Sequence, residues 1–68
     1  MEEYYGKRIN KLRTEKGLSK AQLAKEIGVS EITITNWENQ TSKIKALTLV
    51  KLAVFFKVSA DYILGLRD

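Results

Sequence analysis

Two helix starts lie eleven residues apart within residues 18–40, LSKAQLAKEIGVSEITITNWENQ, and both are written in the same local chemistry. Ser19 is followed three residues later by Gln22, the spacing of a capping box, in which the hydroxyl satisfies a backbone N–H of the first turn and the amide side chain reaches back. Leu18 and Leu23 flank that cap at the spacing of a hydrophobic staple, and Val29, Ser30 and Ile34 repeat the arrangement. Gly28 stands between the two, where glycine alone takes the left-handed C-terminal conformation without steric cost. The stretch predicts a helix, a sharp turn and a second helix over about residues 20–39. Both helices fall short of the roughly 12 to 15 residues at which an isolated helix becomes marginally stable. Each must therefore pack on the other and on a platform.

With 68 residues the chain has room for one small domain, 1–68, which must gain its stability from efficient packing, a metal, disulfides or a partner subunit. It contains neither cysteine nor histidine, which removes disulfides and zinc sites, so no metal or cofactor is expected. The N-terminus MEEYYGKR lacks an apolar signal core, and the strongly apolar run at residues 52–56 is far too short to span a bilayer. A soluble cytoplasmic protein without a membrane partner is the expectation. The formal net charge is +4, which fits a polyanionic partner or a merely solvated surface. Its placement carries more information. Residues 1–38 hold seven basic and six acidic groups, whereas residues 39–60 hold Lys43, Lys45, Lys51 and Lys57 and no acid.

Hydrophobic spacing places three further helices around the central pair. Tyr5, Ile9 and Leu12 form one face of a first helix over about 3–16, which Gly17 closes. Arg13 falls at the edge of that stripe, where a charge needs a partner. The second helix, about 20–27, buries Leu23, Ala24 and Ile27, and the third covers about 31–39. The polar and basic segment QTSKIK has no periodicity and reads as a loop. A fourth helix over about 46–57 carries one stripe of Leu49, Leu52, Ala53 and Phe56 and a second of Leu47, Val50 and Val54. Apolar around most of its circumference, it is expected to be central. Val58, Ser59 and Ile63 give a third staple and cap, opening a short fifth helix that Gly65 ends. Nothing reads as a strand, so the fold class is all-α, a compact five-helix domain. Phe55 and Leu66 lie outside these stripes and are either covering contacts or a dimer contact.

The third helix presents an unusual outer face. At 100° per residue Ile34 and Trp37 point inward, Ile32, Asn36 and Asn39 point outward, and Thr33 and Thr35 sit at the sides. A helix that only has to be soluble would carry Lys or Glu there. Asn, Thr and Ile are instead the chemistry that reads base edges: Asn pairs bidentately with adenine, Thr serves several edges, and Ile covers a thymine methyl. Glu31, at the first helical position, either complements the positive helix terminus or accepts from cytosine N4.

Together RINKLRTEKGLSKAQLAKEIGVSEITITNWEN and LVKLAVFFKVSADYILG, covering residues 8–65, resemble the Cro and lambda-repressor-like (XRE-type) helix-turn-helix transcriptional regulators. Ala24, Gly28, Ile34 and Trp37 hold the small, turn and core positions of that motif. The resemblance implies a lambda-repressor-like DNA-binding domain, a dimer that lays the third helix of each subunit into successive major grooves of a palindromic double-stranded operator. It implies Glu31, Ile32, Thr35 and Asn36 as base-reading residues. Lys20, Thr33, Asn39, Thr41, Ser42, Lys43 and Lys45 would contact the DNA backbone. It also supplies Arg13 with a partner, Glu38. The chain departs from the pattern at Lys20, where many members carry Gln, at Gln40, often Gly, and in lacking a Pro before the fourth helix. A protein-interaction module, antitoxin-like or an anti-activator on the same fold, is the competing reading. An enzyme is not expected, because no nucleophile and base pair can be proposed.

Overall fold

The computed structural model describes residues 4–67, and in them five helices occur: α1 (Tyr5–Glu15), α2 (Lys20–Ile27), α3 (Glu31–Glu38), α4 (Ala46–Phe56) and α5 (Ala60–Ile63). Glu3, the expected first residue of α1, lies outside the described residues. The caps explain the boundaries. Ser19 and Gln22 form the reciprocal capping box at 3.1 and 2.7 Å. Ser30 and Ser59 accept from Thr33 N–H and Tyr62 N–H, at 3.3 and 3.0 Å. Gly28 ends α2 at φ +88°, and its N–H and that of Val29 both donate to the Ala24 carbonyl, closing the turn between α2 and α3.

The main helix–helix contacts run in a cycle, α1, α3, α2, α4, α5 and back to α1. Inside the ring lie Ile9, Leu23, Ala24, Ile27, Ile34, Trp37, Leu52, Phe56 and Ile63. The interior is therefore built from one stripe per helix. Arg8 is also buried, its guanidinium 4.3 Å from the centroid of the Tyr62 ring and donating to the Arg67 carbonyl, so α1 grips α5 through a charged side chain.

The ring corrects the expectation for α4. Leu52 and Phe56 are buried as the first stripe requires, but Leu47, Val50 and Val54 are 80, 54 and 71% exposed. A helix with two packed neighbours, α2 and α5, has no partner for its far side, so α4 is not central and its second stripe faces out. Phe55 sits between the two stripes, half-buried, with its ring edge-on to Phe56 at 5.0 Å and Lys16 Nζ 5.2 Å from its centroid. That is a covering contact over the core. Leu66 is 62% exposed.

The C-terminus of α4 holds a signal that composition did not show. Lys57 takes φ +58°, and the Val58 N–H returns to the Ala53 carbonyl at 3.0 Å, a left-handed helix stop without a glycine. A left-handed non-glycine residue costs about 1 kcal/mol. Lys57→Gly is expected to raise stability by roughly 0.5 to 1 kcal/mol in chemical denaturation, with an unchanged m-value.

Candidate nucleic-acid interface

The position of α3 is set before any question of what it touches. Ile34 is fully buried and Trp37 nearly so, which fixes the helix against α1 and α2. Its C-terminal end is then locked by an ion pair. Arg13 Nε lies 2.7 Å from Glu38 Oε2 and Arg13 Nη2 lies 3.2 Å from Glu38 Oε1, a bidentate pair. The remaining donors of that guanidinium extend the lock, because Arg13 Nη1 donates to the Leu18 carbonyl at 2.8 Å. Asn10 Nδ2 adds a third hydrogen bond to the Glu38 carboxylate, at 3.0 Å. One arginine on α1 thus joins α3 to the turn that leads into α2.

Electrostatics at the pair follow from these contacts. Burial pushes the Glu38 carboxyl upward, but the hydrogen bonds from Arg13 and Asn10 and the charges of Arg13 and Lys20 together outweigh it and hold the group below its ordinary value. The hydrogen bond to Glu38 raises Arg13 in turn, against desolvation. Lys20, the first residue of α2, therefore stands close enough to act on the far end of α3.

With the inner side fixed, the outer side of α3 is what the domain presents. Glu31 and Ile32 are exposed, Ile32 at 62%. Thr33 and Thr35 are half-buried at the sides, and the Thr33 hydroxyl lies 2.9 Å from the Ser30 hydroxyl, within the cap. Asn36 is half-buried and oriented: the Thr41 hydroxyl donates to its Oδ1 and also approaches its backbone carbonyl, both at 3.3 Å. This leaves the Asn36 amide N–H groups and the second lone pair of Oδ1 available, the donor and acceptor that an adenine edge requires.

The loop after α3 continues this surface. Asn39, Thr41, Lys43 and Lys45 are exposed, whereas Ser42 is half-buried with its carbonyl accepting from Tyr5 Oη at 2.8 Å. Lys43 and Lys45 border a cleft of about 290 Å³ that also takes in Thr33 and Trp37. A larger open cleft of about 580 Å³ lies on the other side, lined by Lys7, Asn10, Lys20, Asn39 and Gln40 beside the ion pair. Six of the seven residues singled out from the sequence as backbone contacts line these clefts, Lys20 and Asn39 the larger and Thr33, Ser42, Lys43 and Lys45 the smaller, and Thr41 lines neither. Lys7 and Asn10 escaped the sequence reading. They lie one turn apart on α1, and only the packing of α1 on α3 reveals that they share a cleft with Lys20.

Among the described residues no cluster of acidic side chains could hold a metal, and no helix is long and apolar enough to cross a membrane. The arrangement offers donors, cations and one apolar side chain on an exposed helix, which is a surface for recognition.

Known proteins share this fold. Residues 9–63 match the helix-turn-helix family model. The HTH-type transcriptional regulator YobD of Bacillus subtilis is 39% identical over 64 residues, which cover 94% of this chain and 57% of YobD, so the chain spans little more than half of that relative's length. Among solved structures, the P22 c2 repressor in complex with a synthetic operator has a TM-score of 0.89 at 29% identity, covering 96% of this chain and 98% of that one. SinR of Bacillus subtilis, in complex with DNA, has a TM-score of 0.79 at 28% identity, covering 87% of this chain and 95% of its own. The chain belongs to the XRE-type helix-turn-helix family of DNA-binding transcriptional regulators.

Proposed function

We propose that this domain, residues 1–68, is a sequence-specific repressor of the cytoplasm that binds a palindromic duplex operator as a homodimer, with α3 of each subunit in a major groove. The observation that carries the reading is the outer face of α3, where Ile32 is exposed and the half-buried Asn36 has its side-chain oxygen held by the Thr41 hydroxyl. Glu31, Ile32, Thr35 and Asn36 are the proposed base readers. Lys20, Thr33, Asn39, Thr41, Ser42, Lys43 and Lys45 position the domain on phosphates, joined by Lys7 and Asn10 from the cleft they share with Lys20. Phosphate contacts provide most of the affinity, and α3 provides the discrimination.

A dimer needs a surface that matches itself. The outward stripe of α4 supports this: Val50 and Val54 form an apolar groove with Ile27 and Phe55, whose lining also includes Glu26 and Lys51. A two-fold axis through such a groove sets the apolar surface of one copy against the same surface of the next. Leu47 extends the stripe; Phe55 contributes only its exposed edge, and Leu66 is an accessory contact.

Selection of bound duplexes from random sequence tests the whole reading. The expected outcome is two inverted half-sites about one helical turn apart, 10 to 10.5 bp centre to centre. Recovery of sequences with no shared half-site would sink it. On the selected site Asn36→Ala is expected to cost about 1 to 3 kcal/mol, with little change on random DNA, in a fluorescence titration against both. Equal losses on the two would show that Asn36 reads no base. Val54→Lys, at an exposed position, is expected to weaken binding to the full palindrome while leaving a single half-site unaffected. Binding that fades steeply between low and moderate salt separates this reading from the protein-docking alternative, which would be far less sensitive.

A further inference from the structure

Gln40 breaks a local rule. It takes φ +58°, a left-handed conformation costly to any residue with a Cβ, directly after the last turn of α3. Its side chain does something a glycine could not. Gln40 Oε1 accepts from the Gly6 N–H at 3.1 Å, across 34 positions of sequence. That N–H belongs to the first turn of α1, whose own N-cap residue, Tyr4, makes no side-chain cap. Gln40 thus caps α1 from another element.

A second tether lies beside the first. Tyr5 Oη donates to the Ser42 carbonyl at 2.8 Å, so two consecutive residues of α1 hold two loop residues that are separated by one. The intervening residue is Thr41, whose N–H donates to the Asn36 carbonyl at 2.8 Å and whose hydroxyl bonds the Asn36 side chain. The connections run from the first turn of α1 through the loop to the outer face of α3.

We infer that Tyr5 and Gln40 are positioning residues for DNA binding: without touching the duplex, they pre-order the 40–43 loop so that Lys43 meets a phosphate and Thr41, whose N–H and hydroxyl both donate to Asn36, holds that residue in register. The inference rests on the DNA-binding reading above. Its physical basis is preorganisation, because a loop already fixed in its bound path loses little conformational entropy on binding. It also accounts for a left-handed glutamine where a glycine would be easier. Glycine would remove the backbone strain and with it the tether.

This separates positioning from stability. In Gln40→Gly the relief of the left-handed residue offsets the lost hydrogen bond, so the melting temperature is expected to stay close to that of the wild type. Affinity is expected to fall about 3- to 10-fold on both the selected and a random duplex, and the salt slope to drop by about one as a lysine loses its fixed phosphate. Tyr5→Phe, which removes a single hydroxyl, is expected to do the same. Amide hydrogen exchange, read without DNA, should quicken at Gly6 in the first variant and in both at Thr41, whose N–H is bonded to the Asn36 carbonyl in the tethered loop. The experiment is a salt-dependent titration of the wild type and the two variants, with melting and exchange in parallel. Variants that bind within twofold of the wild type at an unchanged slope overturn the inference and leave the DNA reading standing. Affinity that falls only in proportion to a lowered melting temperature reduces the tethers to stability and also overturns it. A wild type that binds no duplex overturns both.

Discussion

Glu38→Ala is expected to destabilise the domain by about 3 kcal/mol, because it leaves the Arg13 guanidinium in a nearly enclosed site without its carboxylate. For a domain of this size that corresponds to a fall in melting temperature of roughly 15 °C. The loss should exceed the worth of an exposed ion pair, about 1 kcal/mol or less, since the two side chains keep only 12 and 7% of their surface. Arg13→Ala should cost a similar amount, as it leaves the Glu38 carboxylate with the Asn10 hydrogen bond alone and also releases the Leu18 carbonyl. Replacing both residues by well-packed apolar side chains should recover most of the loss, because the desolvation of both charges disappears with them. Thermal melts of the two single variants and the double variant decide the matter; single shifts near zero would show the pair to be ornamental.

The same pair gives stability a pH dependence of known sign. The folded Glu38 carboxyl lies below its ordinary value, so the folded state holds fewer protons there than the unfolded chain does in the acid range. Its contribution is fully present above the unfolded carboxylate pKa and is lost as pH falls through the lowered folded value. The stability gap between wild type and Glu38→Ala should therefore be widest near neutrality and should narrow in acid. A gap that stays constant down to strongly acidic pH would rule out this linkage.

Gly6→Ala is the second large effect, expected at about 2 kcal/mol in the destabilising direction. A Cβ at this position would stand 2.6 Å from the Glu38 carbonyl oxygen, 2.7 Å from the Trp37 carbonyl oxygen and 2.7 Å from Gln40 Cγ. The glutamine could swing aside, but two backbone oxygens at the end of α3 cannot rotate away, so α1 and α3 must separate. Overpacking of that kind costs about 3 kcal/mol at the upper end of its usual range. The better helix propensity of alanine returns at most about 1 kcal/mol. The clash wins. The measurement is chemical denaturation, and because the separation would also draw Tyr5 away from Ser42, duplex binding should weaken beyond what the lost stability predicts.

The local elements were legible because they are encoded by neighbours in the chain. Ser19 with Gln22, and Ser30 and Ser59 with their helix N–H groups, are contacts across three residues that any context would allow. Helix boundaries accordingly agree with the pattern to within a residue or two, and the inward residues Leu23, Ile34, Trp37, Leu52 and Phe56 are buried as their spacing required. The outer face of α3 was readable by the same logic, being whatever Ile34 and Trp37 leave outside.

What escaped was set by which helices meet. Both stripes of α4 are apolar, and nothing local says that only one finds a neighbour; the packing decides it, since α4 makes its main contacts with α2 and α5 and Leu47, Val50 and Val54 are left exposed. Lys7 and Asn10 became part of a cleft, and Gln40 a cap for α1, only when α1 was laid across the end of α3. The sequence by itself determined five helices, their caps, the turn at Gly28 and the chemistry of the exposed face of α3, because those depend on interactions three or four residues apart. The tertiary structure alone decided which apolar surface stays open and which residues hold the loop in place. Contacts spanning 25 to 37 positions have no periodicity from which to be read.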